Sequence, residues 1–124
     1  MKVDWSKYKV LIVEDDVVNY QLLKVFLKNT GIKIIHASAG TEVMEIFENI
    51  VPDIVLMDVQ LPHVNGMQLT EMMKSQHPEI KIIVQTASIL ESQMKEMMET
   101  GCENYLLKPI NREDLIKVMD KYLG

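Results

Sequence analysis

The sequence predicts an α/β fold in which a doubly wound parallel sheet carries helices on both faces. Three observations support this prediction. Five short apolar runs rich in Val, Ile and Leu occur along the chain, none of them alternates apolar with polar residues, and segments of helical periodicity separate them. An unbroken apolar run is typical of a strand buried on both faces, and strict alternation of such strands with helices favours a parallel sheet with right-handed crossovers.

The first predicted strand is Val10–Val13, and a helix follows it. Apolar residues recur there at helical spacing, and the pattern stops at Gly31, a residue type that commonly ends helices. Asp16 stands just before this helix, so we expect it to cap the N-terminus rather than bind a metal. The residues predicted to share the apolar face of the helix are Val18, Leu22, Val25 and Phe26.

The second and third strands are predicted at Ile34–Ala37 and Ile54–Met57. Helical spacing resumes after the second strand and ends before Pro52, and a third helix is predicted at Met67–Gln76. The apolar residues of the second helix are Val43, Ile46, Phe47 and Ile50.

The fourth and fifth strands are predicted at Ile82–Val84 and Tyr105–Leu107, and the last two helices at Leu90–Thr100 and Arg112–Leu123. Each of these helices has an N-cap candidate with an acidic residue three positions later, a pattern that satisfies free backbone N–H groups where a helix begins. The pairs are Ser88 with Glu91 and Asn111 with Asp114.

Length and composition indicate a single globular domain over residues 1–124. Hydrophobic residues make up 48% and charged residues 25%, and no apolar stretch approaches the roughly 18 residues of a membrane span. Residues 1–8 form a polar lead-in that we expect to be loosely attached, although Trp5 and Tyr8 could pack back onto the domain. No apolar signal segment follows the N-terminus, which favours a cytoplasmic location.

Charge and residue usage exclude several classes of function. A formal net charge of −5 disfavours direct binding to nucleic acid, which depends on clustered Lys and Arg. The single cysteine, Cys102, cannot form an internal disulfide, and we interpret it as a structural residue. His36, His63 and His77 share no short spacing and adjoin no nucleophile, so we predict that none is a phosphohistidine donor or a metal ligand. Any donor histidine is expected on another protein.

Charged and hydroxyl side chains follow four of the five predicted strands, at the point where each strand ends. These residues are Glu14 and Asp15 after the first strand, Asp58 after the third, Thr86 after the fourth and Lys108 after the fifth. Ligands of doubly wound sheets bind outside the carboxyl ends of the strands. If these four strands adjoin one another, three acids, one hydroxyl and one ammonium converge on a single crevice.

These residue types fit a phosphoryl acceptor that works with Mg²⁺. Carboxylates with room for water suit this cation, and its charge explains why adjacent acids are tolerated at the end of an apolar run. A carboxylate can accept a phosphoryl group when a metal and a cationic side chain neutralise the transferred charge. Asp58 is the candidate acceptor. Lys108 would contact phosphoryl oxygens, and the Thr86 hydroxyl would donate a hydrogen bond to one of them.

With these motifs the sequence resembles the receiver domains of two-component response regulators and hybrid histidine kinases. The resemblance rests on "IVEDD" after the first run, "LMDVQLPHVNG" around the acceptor, "TA" after the fourth run and "YLLKP" in the fifth, and it covers Lys9 to Leu123. It implies that residues 1–124 form one receiver domain. It also implies a flavodoxin-like sheet of five strands in the order 2-1-3-4-5 with five helices.

The resemblance also implies a role for each site residue. Glu14 and Asp15 are the acidic pair, Asp58 is phosphorylated, the backbone carbonyl of Gln60 completes the Mg²⁺ shell, Thr86 is the switch hydroxyl, Tyr105 the switch aromatic and Lys108 the phosphate-binding lysine. Such a domain is a signalling phosphoacceptor that assists its own phosphorylation and dephosphorylation. Its expected partner is a histidine kinase or a histidine phosphotransfer domain. Its output surface is helix four, strand five and helix five, through which a homodimer could also form.

The sequence departs mildly from the family pattern. Glu14 replaces the commoner Asp, Val64 stands where Met is frequent, and Ile110 follows the Lys-Pro pair where Phe is common. These departures bear on reaction rates and not on the activity itself. The lead-in "DWSKYKVLIVEDD" resembles that of receivers that follow a kinase core, which slightly favours a receiver from a hybrid sensor kinase over a stand-alone regulator.

Two other classes of protein share parts of this pattern. Metal-dependent aspartyl-phosphate hydrolases carry a DxD motif, whereas Asp58 is followed by Val59 and Gln60. Flavin-binding domains of similar topology need a phosphate loop rich in Ser, Thr and Gly after the first strand, and "EDDVVN" would repel a phosphate there. The phosphoacceptor is therefore the favoured hypothesis.

Overall fold

The computed structural model describes residues 3–61, 65–87 and 90–124, which form one parallel sheet with helices on both faces. In chain order the elements are β1 (Lys9–Val13), α1 (Val17–Leu27), β2 (Lys33–Ala37), α2 (Gly40–Asn49), β3 (Ile54–Asp58), α3 (Gly66–Gln76), β4 (Lys81–Thr86), α4 (Glu91–Glu99), β5 (Asn104–Leu107) and α5 (Arg112–Leu123). The strand order β2-β1-β3-β4-β5 confirms the predicted fold. None of the described helices is long and apolar enough to cross a membrane.

The register of the strands brings their carboxyl ends to one edge of the sheet. Opposite pairs are Val13 with Met57, Asp58 with Gln85 and Thr86 with Leu107. The residues that follow β1, β3, β4 and β5 therefore meet at this edge, as the sequence predicts.

Two apolar clusters cover the two faces of the sheet. Successive side chains of a strand point to opposite faces of the sheet. Ile12, Leu56 and Ile83 pack with α1 and α5 on one face. The residues that precede and follow each of them on its strand pack with α2, α3 and α4 on the other face. Asp58 and Gln85 lie two positions after Leu56 and Ile83, so they leave the sheet on the side of α1 and α5. Cys102 is buried in the other cluster, which agrees with a structural role.

Helix α1 forms where it is predicted, but a different face packs against the sheet. Leu23 and Leu27 are buried, whereas Val18 is 77% exposed and Val25 is 64% exposed. The predicted apolar face is therefore wrong for Val18, Leu22 and Val25, whereas Phe26 is half-buried and packs against the core. The helix sequence "VVNYQLLKVFL" carries apolar residues nearly all round, so two sets of residues satisfy the same helical spacing. The helix ends at Leu27, ahead of the predicted stop.

Helix caps agree with the sequence at two of the three predicted positions. Asp16 caps α1, because its Oδ1 accepts hydrogen bonds from the backbone N–H groups of residues 18 and 19 at 2.9 and 3.3 Å. Asn111 caps α5 by accepting from the N–H of Asp114 at 2.8 Å. The third prediction is corrected: α4 begins at Glu91 with Leu90 in the N-cap position. Ser88 lies outside the described residues.

The lead-in is attached to the domain over residues 3–8. Trp5 is only 2% exposed, and its backbone N–H donates to the carbonyl of Thr30 at 2.7 Å. The carbonyl of Tyr8 accepts from the N–H of Lys33 at 3.1 Å. The expectation of a loose lead-in is wrong for these residues, and the alternative that Trp5 and Tyr8 pack back onto the domain is confirmed, because both belong to the apolar cluster formed with α1, α5 and the sheet.

The packing of α1 predicts that substitutions on its buried and exposed sides differ in their effect on the free energy of unfolding. Leu23→Ala should lower the free energy of unfolding by about 2–5 kcal/mol, because it leaves a cavity in the core. Val25→Ala, two residues further along the same helix, should change it by less than about 0.5 kcal/mol. Urea unfolding followed by circular dichroism measures both, and equal losses would contradict the observed packing.

Candidate functional site

Three carboxylates meet at the carboxyl edge of the sheet. Oxygen atoms of Glu14, Asp15 and Asp58 all lie within 4.8 Å of one another. Glu14 and Asp58 are buried, whereas Asp15 is exposed. The structure thus brings together the three acids that the strand ends predict, in a cluster small enough to surround one cation.

Lys108 lies between the two buried acids. Its Nζ is 3.2 Å from Oδ2 of Asp58 and 3.6 Å from Oε1 of Glu14. The backbone N–H of Lys108 donates to the carbonyl of Thr86 at 2.7 Å, which extends the contact of β5 with β4, and the peptide bond to Pro109 is cis. The ammonium offsets part of the repulsion between the acids.

The loop after β3 holds the other oxygen of Asp58. Oδ1 accepts a hydrogen bond from the backbone N–H of Gln60 at 2.9 Å. Gly66 begins α3 against this loop, and a Cβ there would lie 2.7 Å from Cα of Val59 and 2.8 Å from the carbonyl oxygen of Asp58. Only glycine fits this close approach, so the loop path depends on it. His63 and Val64 lie outside the described residues.

Burial changes the ionisation of Glu14. Loss of water around the carboxyl group, reinforced by the neighbouring carboxyl of Asp58, raises the pKa of Glu14 from 4.5 to about 7. Hydrogen bonds from Asn19 Nδ2 to Oε1 and from the backbone N–H of Asp16 to Oε2 act in the opposite direction. The metal-free cleft therefore holds a proton near neutral pH more readily than an ordinary glutamate does.

Thr86 and Tyr105 lie on the other side of the sheet edge. Thr86 ends β4 and is 5% exposed, and Tyr105 is half-buried against the cluster formed with α2, α3 and α4. Tyr105 lies opposite Val84, two residues before Thr86, so both side chains leave the sheet on the same face.

Sequence reasoning missed three polar residues around Glu14. Asn19 donates to its carboxylate, and Gln85 accepts from Asn19. His36 contacts the backbone carbonyl oxygen of Glu14 through Nε2 at 2.8 Å and stacks on Tyr20 with ring centroids 3.6 Å apart. Because a carbonyl only accepts, the Nε2–H of His36 is the donor. The one available signal was Gln85, a polar residue inside an otherwise apolar strand.

Comparison with known proteins identifies the family. The response regulator receiver domain matches residues 10–120. This chain belongs to that family. It is 32% identical over 117 residues to the polar-differentiation response regulator DivK of Brucella ovis, a match that covers 93% of this chain and 95% of the relative.

Solved receiver structures have the same fold. The chemotaxis protein CheY4 of Vibrio cholerae gives a TM-score of 0.86 at 25% identity, covering 94% of this chain and 98% of the other. The receiver domain of a sensor histidine kinase from Pseudomonas aeruginosa gives 0.85 at 27% identity with the same coverage, and its structure is described with magnesium coordinated in the active site cleft. The chain is thus a signalling domain of two-component systems, as the resemblance implied, and its acidic cluster is consistent with phosphorylation and Mg²⁺ binding.

The raised pKa of Glu14 predicts how stability depends on pH. The folded protein binds this proton more tightly than the unfolded chain does, so the free energy of unfolding should fall as pH increases from about 4.5 to about 7 and then level off. Glu14→Gln removes the buried charge and should be more stable than the wild type at pH 8 in EDTA. Thermal melts at matched ionic strength measure both effects, and the difference between the two proteins isolates Glu14.

Glu71→Gln is the matched control, because it makes the same change at an exposed glutamate of α3 outside the cluster. It should keep the pH dependence of the wild type in EDTA. A wild-type midpoint that stays constant across this pH range, or an equal slope for Glu14→Gln, would contradict the assignment.

Proposed function

We propose that this receiver domain accepts a phosphoryl group on Asp58 from a phosphohistidine of a histidine kinase or a histidine phosphotransfer domain. One observation carries the proposal: the Asp58 carboxylate lies beside two further acids, and the Lys108 ammonium is 3.2 Å from its Oδ2. A buried carboxylate next to a cation is placed to attack phosphorus while the charge of the transferred group is neutralised.

The proposed transfer forms one bond and breaks one. A carboxylate oxygen of Asp58 attacks phosphorus, the P–N bond to the donor imidazole breaks, and the imidazole nitrogen keeps the electron pair. Lys108 contacts the phosphoryl oxygens, and the hydroxyl of Thr86 donates to one of them. Attack by water on the same phosphorus, aided by the same side chains, would break the bond between phosphorus and the Asp58 oxygen, release inorganic phosphate and return the carboxylate. The domain would thus assist its own phosphorylation and dephosphorylation without turning over a small substrate.

The donor set fits a resident Mg²⁺. Glu14, Asp15 and Asp58 supply hard carboxylate oxygens within 4.8 Å of one another, and the backbone carbonyl of Gln60 is the proposed fourth protein ligand. When bound, the ion would neutralise charge on the phosphoryl oxygens. The magnesium described in the cleft of the Pseudomonas receiver supports this assignment.

We extend the proposal to the output of the domain. Thr86 would turn toward the phosphoryl group, and Tyr105 would fill the space that it leaves, because both side chains lie on one face of adjoining strands. This would reshape the surface of α4, β5 and α5, where Met98 and Leu107 are exposed. A homodimer through this surface, a cytoplasmic location and a place in a hybrid kinase stay predictions.

Exposed valines on α1 indicate where the donor would dock. Val17 and Val18 follow Asp15 of the cleft after the capping residue Asp16, and Val25 continues the exposed stripe along the helix. A protein that brings its histidine to Asp58 must cover this end of α1. The apolar stripe is continuous with the cleft, so we assign it to the histidine-bearing partner.

Labelling with a small phosphodonor tests the acceptor. With acetyl phosphate and MgCl₂, intact mass spectra should show one added phosphoryl group on the wild type and none on Asp58→Asn, and EDTA should prevent labelling. Asp16→Asn is the matched control and should be labelled, because Asn still caps a helix. Undiminished phosphate on Asp58→Asn would refute the acceptor assignment.

Comparison of two donors tests the docking surface. The double variant Val18→Thr, Val25→Thr keeps the shape of both side chains and should slow phosphotransfer from a phosphorylated histidine protein about five- to tenfold. Its labelling by acetyl phosphate should match that of the wild type, since the cleft is intact. Val51→Thr, at another exposed valine, is the control. An equal loss with both donors would show damage to the cleft and not to docking.

A further inference from the structure

Two side-chain amides connect α1 with β4 beside the acids. The Nδ2 group of Asn19 donates one hydrogen bond to Oε1 of Glu14 and another to Oε1 of Gln85, the latter at 3.2 Å. Both hydrogens of this NH₂ group thus have an acceptor, which fixes the plane of the Asn19 amide. Asn19, Glu14 and Gln85 belong to three different segments of the chain, so the contact is a tertiary one.

Gln85 is in an unfavourable position for a polar residue. It is completely buried, and its Nε2 has no hydrogen-bond partner within the described part of the chain. An apolar side chain of the same length would avoid this unsatisfied donor. Within the described residues the side chain of Gln85 accepts a hydrogen bond from Asn19, and an apolar side chain could not replace this bond.

We propose that Asn19 and Gln85 are positioning residues for the metal site. Gln85 fixes the amide of Asn19, and Asn19 fixes the carboxylate of Glu14 in the orientation in which it lies beside Asp15 and Asp58. The inference rests on the proposed function, because the cation is the one assigned to that site. Groups that orient a metal ligand affect metal affinity without touching the ion.

The two hydrogen bonds that link Gln85, Asn19 and Glu14, here called the amide bridge, suit this role chemically. An amide orients a carboxylate by hydrogen bonding and leaves its negative charge available to a cation. An Arg or Lys in the place of Asn19 would orient Glu14 equally well, but its charge would compete with the metal. Gln85 also lies opposite Asp58 in the sheet and precedes Thr86. The bridge therefore joins Glu14, at the end of β1, to β4, the strand that carries Thr86.

Gln85→Met separates positioning from structure. Methionine keeps the length of the side chain but removes both the acceptor for Asn19 and the unpartnered Nε2. The melting temperature in EDTA should stay the same or increase, whereas the dissociation constant for Mg²⁺ should increase about three- to tenfold. Calorimetric titration with MgCl₂ at pH 8 measures the affinity. Gln21→Met, the same change at an exposed position of α1, should alter neither quantity.

A second pair of variants tests whether Gln85 acts on Glu14 through Asn19. Asn19→Ala should weaken Mg²⁺ binding about tenfold or more, because Glu14 loses its side-chain donor. The double variant Asn19→Ala, Gln85→Met should bind Mg²⁺ no more weakly than Asn19→Ala alone, since Gln85 acts only through Asn19.

The outcomes of these titrations and melts distinguish the bridge from the proposed function. Additive losses in the double variant, unchanged Mg²⁺ affinity in Gln85→Met, or a melting temperature that falls together with affinity would overturn the bridge and leave the proposed function intact. A wild type that binds no Mg²⁺ would overturn the bridge and the metal assignment together, whereas labelling of Asp58 reports on the acceptor separately.

Discussion

The burial of Glu14 and Asp58 side by side is the constraint on which the site depends. The register of β1 against β3 puts the two strand ends together, and two carboxylates removed from water repel each other and resist joint ionisation. Lys108 reaches both acids from the end of β5. It can do so because β4 and β5 extend the sheet on the side of β3. The strand order therefore determines that the two buried acids have a compensating positive charge at the carboxyl edge.

The cleft is left with a charge that matches its proposed cation. When all three carboxylates are ionised, they and the Lys108 ammonium leave a net charge of −2, which one Mg²⁺ would balance. The other groups around Glu14 are an amide of Asn19, a backbone N–H of Asp16 and, at its carbonyl, His36. The amide and the backbone N–H orient the carboxylate without neutralising it. The surrounding structure therefore supplies geometry, while Lys108 supplies the compensating charge.

The sequence predicts this site well because the rule that builds it is local. Each strand is an apolar run, and the residue that ends the run is placed at the carboxyl edge, so Asp58 and Lys108 could be placed before any contact was known. The strand order came from the family resemblance. Periodicity failed on α1, where Val25 and Leu23 both fit helical spacing and only packing decides which is buried. It could not find the contact of Asn19 with Gln85, because that bond depends on how α1 crosses β4.

The two proposals place two roles on different sides of helix α1. Leu23 fixes the helix on the sheet, Asn19 holds Glu14 from its first turn, and Val18 faces solvent one residue before Asn19. A partner that contacts Val18 therefore bears on the turn that carries the donor to Glu14. The backbone N–H groups of Val18 and Asn19 both donate to Oδ1 of Asp16, so one cap holds the two residues. Docking of a phosphohistidine partner on α1 would consequently act on the orientation of a metal ligand as well as on the approach of the phosphoryl group, which couples recognition to chemistry without a separate moving part.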